Sequence, residues 1–262
     1  MCIRDSNGTA TVFAADLQEL RPHPGQAVAA ANVLKVVEGS GILEAAAEDF
    51  AINQVQDAYS VRCSPQVAGG VRDTLSHAIF VANNELAAAV DNPVVAKDGR
   101  VTSNGNFHGA PLAYVLDFLA IVTADLASIS ERRTDRFLDP ARNRGLNAFL
   151  ADDPGVDSGH MIAQYTQAAI VSEMKRNAVP ASVDSIPSSA MQEDHVSMGW
   201  SAARKLRRNV DGLTRVLAVE ILTAARAIDM RGGEPGVGTK AVIDVLRRTV
   251  DGPGPVSYTH LT

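Results

Sequence analysis

Aromatic side chains make up only 5% of this 262-residue sequence, with a single tryptophan. Strands favour aromatic and β-branched residues, whereas alanine and leucine, both plentiful here, are strong helix formers. That shortage argues against a β fold. Two cysteines, Cys2 and Cys63, are too few and too far apart for a disulfide framework, which points to a reducing, cytoplasmic setting. They supply no cysteine pair, and the six histidines form no His-Glu-x-x-His, so no metal site is read from spacing. Positive charge is not in excess: 24 Lys and Arg face 30 Asp and Glu, a net charge of −6. Such a balance gives no electrostatic reason to bind nucleic acid or an anionic membrane. No uninterrupted apolar run reaches the roughly 20 residues of a membrane span. No basic start followed by an apolar stretch marks an export signal. Without one, the glycosylation-type triplet Asn7-Gly8-Thr9 carries little meaning.

What is present is an ordinary globular composition, 46% hydrophobic and 21% charged, long enough to bury a core. Apolar residues recur at helical spacing over residues 25–40, 65–90, 111–133, 158–177, 195–229 and 241–250. The stripe Val67, Val71, Leu75, Ile79, Ala82, Leu86 and Ala89 defines one face of the second helix. Ser64 is its expected N-cap, and Asp91-Asn92-Pro93 its stop. Apolar residues nearly encircle 111–133, which predicts a central helix. Asp98-Gly99 predicts a hairpin turn within 94–102. Residues 42–63, 134–156 and 179–194 read as less regular. The expectation is an all-α long-helix bundle with one small β-hairpin.

Several tempting signals fail. Gly233 to Lys240 lacks the Gly-Lys-Ser/Thr ending of a phosphate loop and reads as a turn. Ser158, in Gly-Val-Asp-Ser-Gly, is not a nucleophile elbow. The basic runs at Arg132-Arg133 and 204–208 read as solvated helix faces.

Three polar segments remain. Residues 54–66 bring Gln56, Tyr59 and Arg62 next to a helix start, where a guanidinium and a positive helix end suit a carboxylate. A structural ion pair for Arg62 and an interface role for Tyr59 explain that pattern equally well. Residues 103–109 place Asn106 and Phe107 in a glycine loop, where Phe107 either packs over a planar group or anchors a tight turn. Residues 182–198 hold Gln192, Glu193, Asp194 and His195. Glu193 is either an N-terminal helix charge or a ligand for a cationic ring and a proton carrier.

Gln-Asp-Ala-Tyr-Ser-Val-Arg-Cys-Ser-Pro-Gln (56–66), Asp-Asn-Pro (91–93) with Asn-Gly-Asn-Phe-His-Gly (104–109), and Asp-Ser-Ile-Pro-Ser-Ser-Ala-Met-Gln-Glu-Asp-His-Val-Ser-Met (184–198) resemble three blocks of the aromatic amino acid lyase family, in the family's order. Arg21 to Gln26 and Ser130-Glu131-Arg132-Arg133 also resemble it, so the likeness covers about residues 10–230. It implies a fumarase/aspartase-like helical fold, a homotetramer with active sites shared between subunits, and non-oxidative loss of ammonia from an aromatic amino acid. The family's electrophile is a methylidene-imidazolone formed from an internal Ala-Ser-Gly, which this sequence lacks.

Carried over by resemblance, Arg62 would hold the substrate carboxylate, with Gln56 hydrogen-bonding nearby. Tyr59 would assist the electrophile's formation or the proton transfers, and Phe107 would pack against the electrophile or the ring. Glu193 would contact an imidazole, because family members acting on phenylalanine or tyrosine tend to carry an amide there. His195, Gln192 and Asn106 would support these groups from behind. The expected substrate is L-histidine, giving urocanate. A phenylalanine or tyrosine lyase, an aminomutase, or a non-catalytic helical scaffold are the alternatives. Residues 7–250 read as the central and C-terminal helical part of a larger unit, inactive alone, with 1–6 and 256–262 as non-native tails. Arg62, Tyr59 and Glu193 are expected to meet in one pocket once partner copies are included. A chain of this extent should also expose apolar surface meant for other parts of the assembly.

Overall fold

The computed structural model describes residues 10–48 and 56–251. The expected tails, Cys2 and Gln54 lie outside them. Nine α-helices and one hairpin follow in order among the described residues: α1 (Ala15–Glu19), α2 (Pro24–Val36), α3 (Gly41–Glu48), α4 (Tyr59–Arg62), α5 (Ser64–Leu86), β1 (Val94–Val95), β2 (Val101–Thr102), α6 (Ala110–Leu138), α7 (Met161–Asn177), α8 (Gly199–Arg231) and α9 (Val237–Leu246). The strands pair antiparallel, Val94 opposite Thr102, around Gly99 at φ +82. Short 3-10 turns occupy Thr11–Phe13, Ala148–Leu150 and Ser189–Met191.

The long pair α6 and α8 is the centre, flanked by α5 and α7. Two apolar clusters lie along it. Ala124, Ala127, Val171, Met174 and Val216 join α6, α7 and α8. Ile42, Phe137, Leu138, Leu146, Leu150, Ala224, Ala227 and Ile228 close the other end. By length and composition α6 could cross a membrane, with a mean hydropathy of 1.8 over its most apolar window. It is instead packed by three helices and interrupted by Asp117, which is buried in an ion pair.

The buried face of α5 differs from the expected stripe. Pro65, Gly69, Thr74 and Ala78 point inward, while Leu75, Ile79, Phe80 and Leu86 are exposed, the last at 86%. The cause is the crossing of α2 over α5. A Cβ on Gly69 would lie 2.4 Å from the Gln26 nitrogen, and one on Gly25 would lie 2.3 Å from the Gly69 oxygen. Backbones this close admit only small side chains between them. Asp73 then reaches the start of α2, accepting from the Gly25 N–H at 2.8 Å, where a carboxylate suits the positive helix end. Tyr114, Phe118 and Ile121 on α6 are exposed as well.

Other boundaries also shift. Residues 41–48, expected to be irregular, form α3, because Ser40 caps it through its Oγ on the Leu43 N–H at 3.2 Å. The cap residue of α5 is Cys63 rather than Ser64, with no side-chain cap bond. That helix ends at Leu86, before the expected stop. α6 continues to Leu138, since Thr134, Phe137 and Leu138 are all buried. α8 begins at Gly199, after a left-handed Met198 at φ 53, so Glu193 and His195 belong to the preceding loop. Glu193 is therefore not an N-terminal helix charge.

Candidate active site

The turn α4 carries Tyr59 and Arg62, and its position is set by buried charges. Arg133 on α6 grips the Glu220 carboxylate of α8 with two N–H groups at 2.5 and 2.8 Å, and donates a third bond to the Ser60 carbonyl at 3.3 Å. Ser130 Oγ donates to the same carboxylate. Burial pushes the Glu220 carboxyl upward, but the Arg133 charge and hydrogen bond and the Ser130 hydroxyl outweigh it and hold the group below its usual range. Asp57, also buried, pairs with Arg144 at 3.3 Å. Arg62 Nε donates to the Asp57 carbonyl at 2.9 Å, and its guanidinium lies 4.5 Å from the Tyr59 ring centroid. Among the described residues Arg62 makes no ion pair with a carboxylate. Its remaining N–H groups are available to an anion, with Tyr59 70% exposed beside it. Gln56, just upstream, is exposed.

A second group forms at the other end of α6. The 103–109 loop and the 179–198 loop meet there. His108 Nε2 donates to the His195 carbonyl at 3.2 Å, and the two imidazoles stack nearly parallel, 5° apart with centroids at 5.5 Å. Asn104 shapes the first loop by accepting from the Asn106 N–H at 2.8 Å. Phe107 projects from it, 54% exposed. The second loop is tied down by Asp117, which accepts from the Ser182 N–H at 2.7 Å and pairs with Lys205 at 3.1 Å. Lys205 also donates to the Val179 carbonyl. Burial raises the Asp117 pKa, and the bonds from Ser182 and Lys205 bring it below the ordinary value. Glu193 is exposed; Ser188 Oγ donates to its Oε2 at 2.7 Å. Gln192 and His195 are exposed beside it.

The structure thus brings the loop of Asn106 and Phe107 against the loop of Gln192, Glu193 and His195 through the His108–His195 contact, and sets Arg62 over Tyr59 with Gln56 just upstream in the chain, while the two groups lie at different levels of α6. Arg133 and Ala110 mark their levels on α6. At about 1.5 Å per residue, roughly 35 Å of helix separates them.

Two cavities among the described residues lie elsewhere. One of about 240 Å³ sits behind α4, lined by Val61, Pro65, Leu126 and Arg133 among others. Another of about 490 Å³ lies between α1 and α2. Neither is lined by Tyr59, Arg62, Phe107 or Glu193. Among the described residues no three His, Cys, Asp or Glu side chains cluster as metal ligands.

The basic runs are not wholly solvated, because one residue in each turns inward: Arg133 onto Glu220 and Lys205 onto Asp117. Their partners lie 87 and 88 residues away, beyond the reach of local periodicity.

The family model for aromatic amino acid lyases matches residues 1–248. Histidine ammonia-lyase of Streptomyces avermitilis is 66% identical over 250 residues, covering 95% of this chain and 48% of that protein. The crystal structure of histidine ammonia-lyase from Trypanosoma cruzi superposes with a TM-score of 0.84 at 39% identity, covering 94% of this chain and 46% of that one. Tyrosine aminomutase from Streptomyces globisporus superposes at 0.90 and 37% identity, covering 98% and 52%. The chain spans about half the length of the curated relatives it matches. The family model spans nearly the whole chain and the helical architecture matches these solved structures, so the chain belongs to the aromatic amino acid lyase family.

Proposed function

We propose that these residues serve a histidine ammonia-lyase, which eliminates ammonia from L-histidine to give urocanate. The observation that carries this reading is Glu193. Its carboxylate is presented to solvent from a loop pinned at Asp117 and held against the Phe107 loop. A carboxylate in that place suits an imidazole, which it binds through a charge-assisted hydrogen bond. The 66% identity to a histidine ammonia-lyase supports the same substrate.

In this reading Arg62 binds the substrate carboxylate through N–H groups that no carboxylate of the described residues occupies. Gln56 donates beside it, Tyr59 moves a proton, and Phe107 packs over the planar group. His195, Gln192 and Asn106 hold the Glu193 and Phe107 loops in place. Since roughly 35 Å of α6 separates the two groups, a complete site takes Tyr59 and Arg62 from one copy and Phe107 and Glu193 from another. A homotetramer meets that need. The exposed Leu75, Ile79, Phe80 and Leu86 offer apolar surface for such packing. The methylidene-imidazolone supplies the electrophile, and its Ala-Ser-Gly precursor is not among these 262 residues. The residues described here bind, orient and carry protons around it. A cytoplasmic location belongs to the same proposal. An aminomutase is the second reading, favoured by the 0.90 superposition on tyrosine aminomutase.

The test joins this chain to the portion of the Streptomyces avermitilis relative that it does not cover and follows urocanate absorbance. Histidine turnover is expected, and Glu193→Gln should weaken it far more than it weakens binding of analogues with a neutral ring. Equal turnover of histidine and phenylalanine would overturn the substrate assignment.

A further inference from the structure

Glu193 is an exposed side chain with several rotatable bonds, and an unconstrained carboxylate loses that freedom each time it binds. The structure constrains it in advance. Ser188 and Glu193 form an isolated antiparallel bridge, exchanging backbone bonds at 2.9 and 3.3 Å. Residues directly opposed in such a pair send their side chains to the same face. That places the Ser188 hydroxyl 2.7 Å from Glu193 Oε2, as donor.

The segment between them is costly to build. Ser189, Ala190 and Met191 all adopt the left-handed region, at φ 49, 53 and 68, and none is glycine. Side chains other than glycine, asparagine and aspartate seldom adopt this conformation, and it persists only where the surroundings over-determine it. Here the surroundings are the Asp117–Ser182 anchor, the Val196 N–H on Ser185 Oγ at 2.9 Å, and the His108–His195 stack. Relaxing the left-handed turn would break the opposition of residues 188 and 193, and with it the hydroxyl's aim.

We propose that Ser188 is the positioning residue for Glu193: its hydroxyl fixes the carboxylate that reads the substrate ring. This rests on the histidine reading above.

The same joined protein tests it, with histidine and a neutral-ring analogue as substrates. Ser188→Ala should lower kcat/KM for histidine about tenfold, the scale of one hydrogen bond to a charge. Turnover of the neutral-ring analogue should change by less than about twofold. Ser188→Thr, which keeps the hydroxyl, should restore the rate on histidine. In a Glu193→Ala background, Ser188→Ala should add no further loss. Equal losses on both substrates would show a merely structural serine and overturn the proposal. So would a Ser188→Ala enzyme indistinguishable from wild type while Glu193→Ala is impaired. A Glu193→Ala enzyme that handles histidine normally would instead sink the reading of the site itself.

Discussion

Replacing Glu220 by glutamine should be among the most damaging single-atom changes in the chain. The carboxylate is buried and takes two N–H groups from Arg133 and the hydroxyl of Ser130. The amide removes the charge and leaves the Arg133 cation facing a neutral group. Removing one partner of a buried pair costs about 3–5 kcal/mol. Arg133 keeps 13% of its side-chain exposure and its bond to Ser60, which argues for the lower end, about 3 kcal/mol. Urea denaturation of the joined protein, followed by helical ellipticity, measures this as a lower midpoint. The control is Arg133→Met with Glu220→Leu, which removes both charges and should return stability to within about 1 kcal/mol of wild type. That pair still releases the Ser60 carbonyl, so stability should recover while activity dependent on Tyr59 and Arg62 does not. The pH dependence has a definite sign. Because the folded pKa of Glu220 lies below its ordinary 4.5, the pair contributes fully at neutral pH and is lost as pH falls below that value. The gap between wild type and Glu220→Gln should therefore close in acid. A loss under about 1 kcal/mol at neutral pH, or a double variant no better than the single one, would refute the reasoning.

Two further outcomes follow from packing and titration. Gly69→Ala places a methyl against the α2 backbone and should cost about 3 kcal/mol or more, whereas Gly70→Ala, which meets open space, should stabilise by about 0.5–1 kcal/mol; thermal melts of the two variants decide. His160 is fully buried beside Thr223, and burial, with Arg226 and Arg247, lowers its pKa to about 4. The unfolded chain binds a proton there more readily, so stability should fall between pH 6.5 and 4 by up to roughly 3 kcal/mol. His160→Gln should flatten that part of the profile.

The long helices and the hairpin are legible because periodicity and turn chemistry are local, whereas the short helices α3 and α4 fall in a stretch that reads as less regular. The inward face of α5 was not, because it is set by a backbone crossing with α2 that no apolar count reports. Gly69 and Gly25 look unremarkable in sequence and decide which residues are buried. The same holds for charge. Arg133 and Lys205 sit in runs that read as solvated, and only contacts across α6 and α8 show them turned inward. Ser188 lies within the 184–198 segment, yet nothing local distinguishes it from Ser189; the bridge to Glu193 does. The separation of Tyr59 and Arg62 from Glu193 likewise depends on how many turns of α6 lie between their anchors.

That last point makes α6 a ruler as well as a core helix. Asp117 near one end sets the Glu193 loop, and Arg133 near the other sets the Tyr59 turn. Inserting or deleting one residue between them would rotate one anchor against the other by about 100° and slide it by about 1.5 Å. Substitutions along this stretch can be absorbed by repacking, but a change in its length cannot. Length variation should instead collect in segments free of this calibration, such as the tip of the hairpin around Gly99.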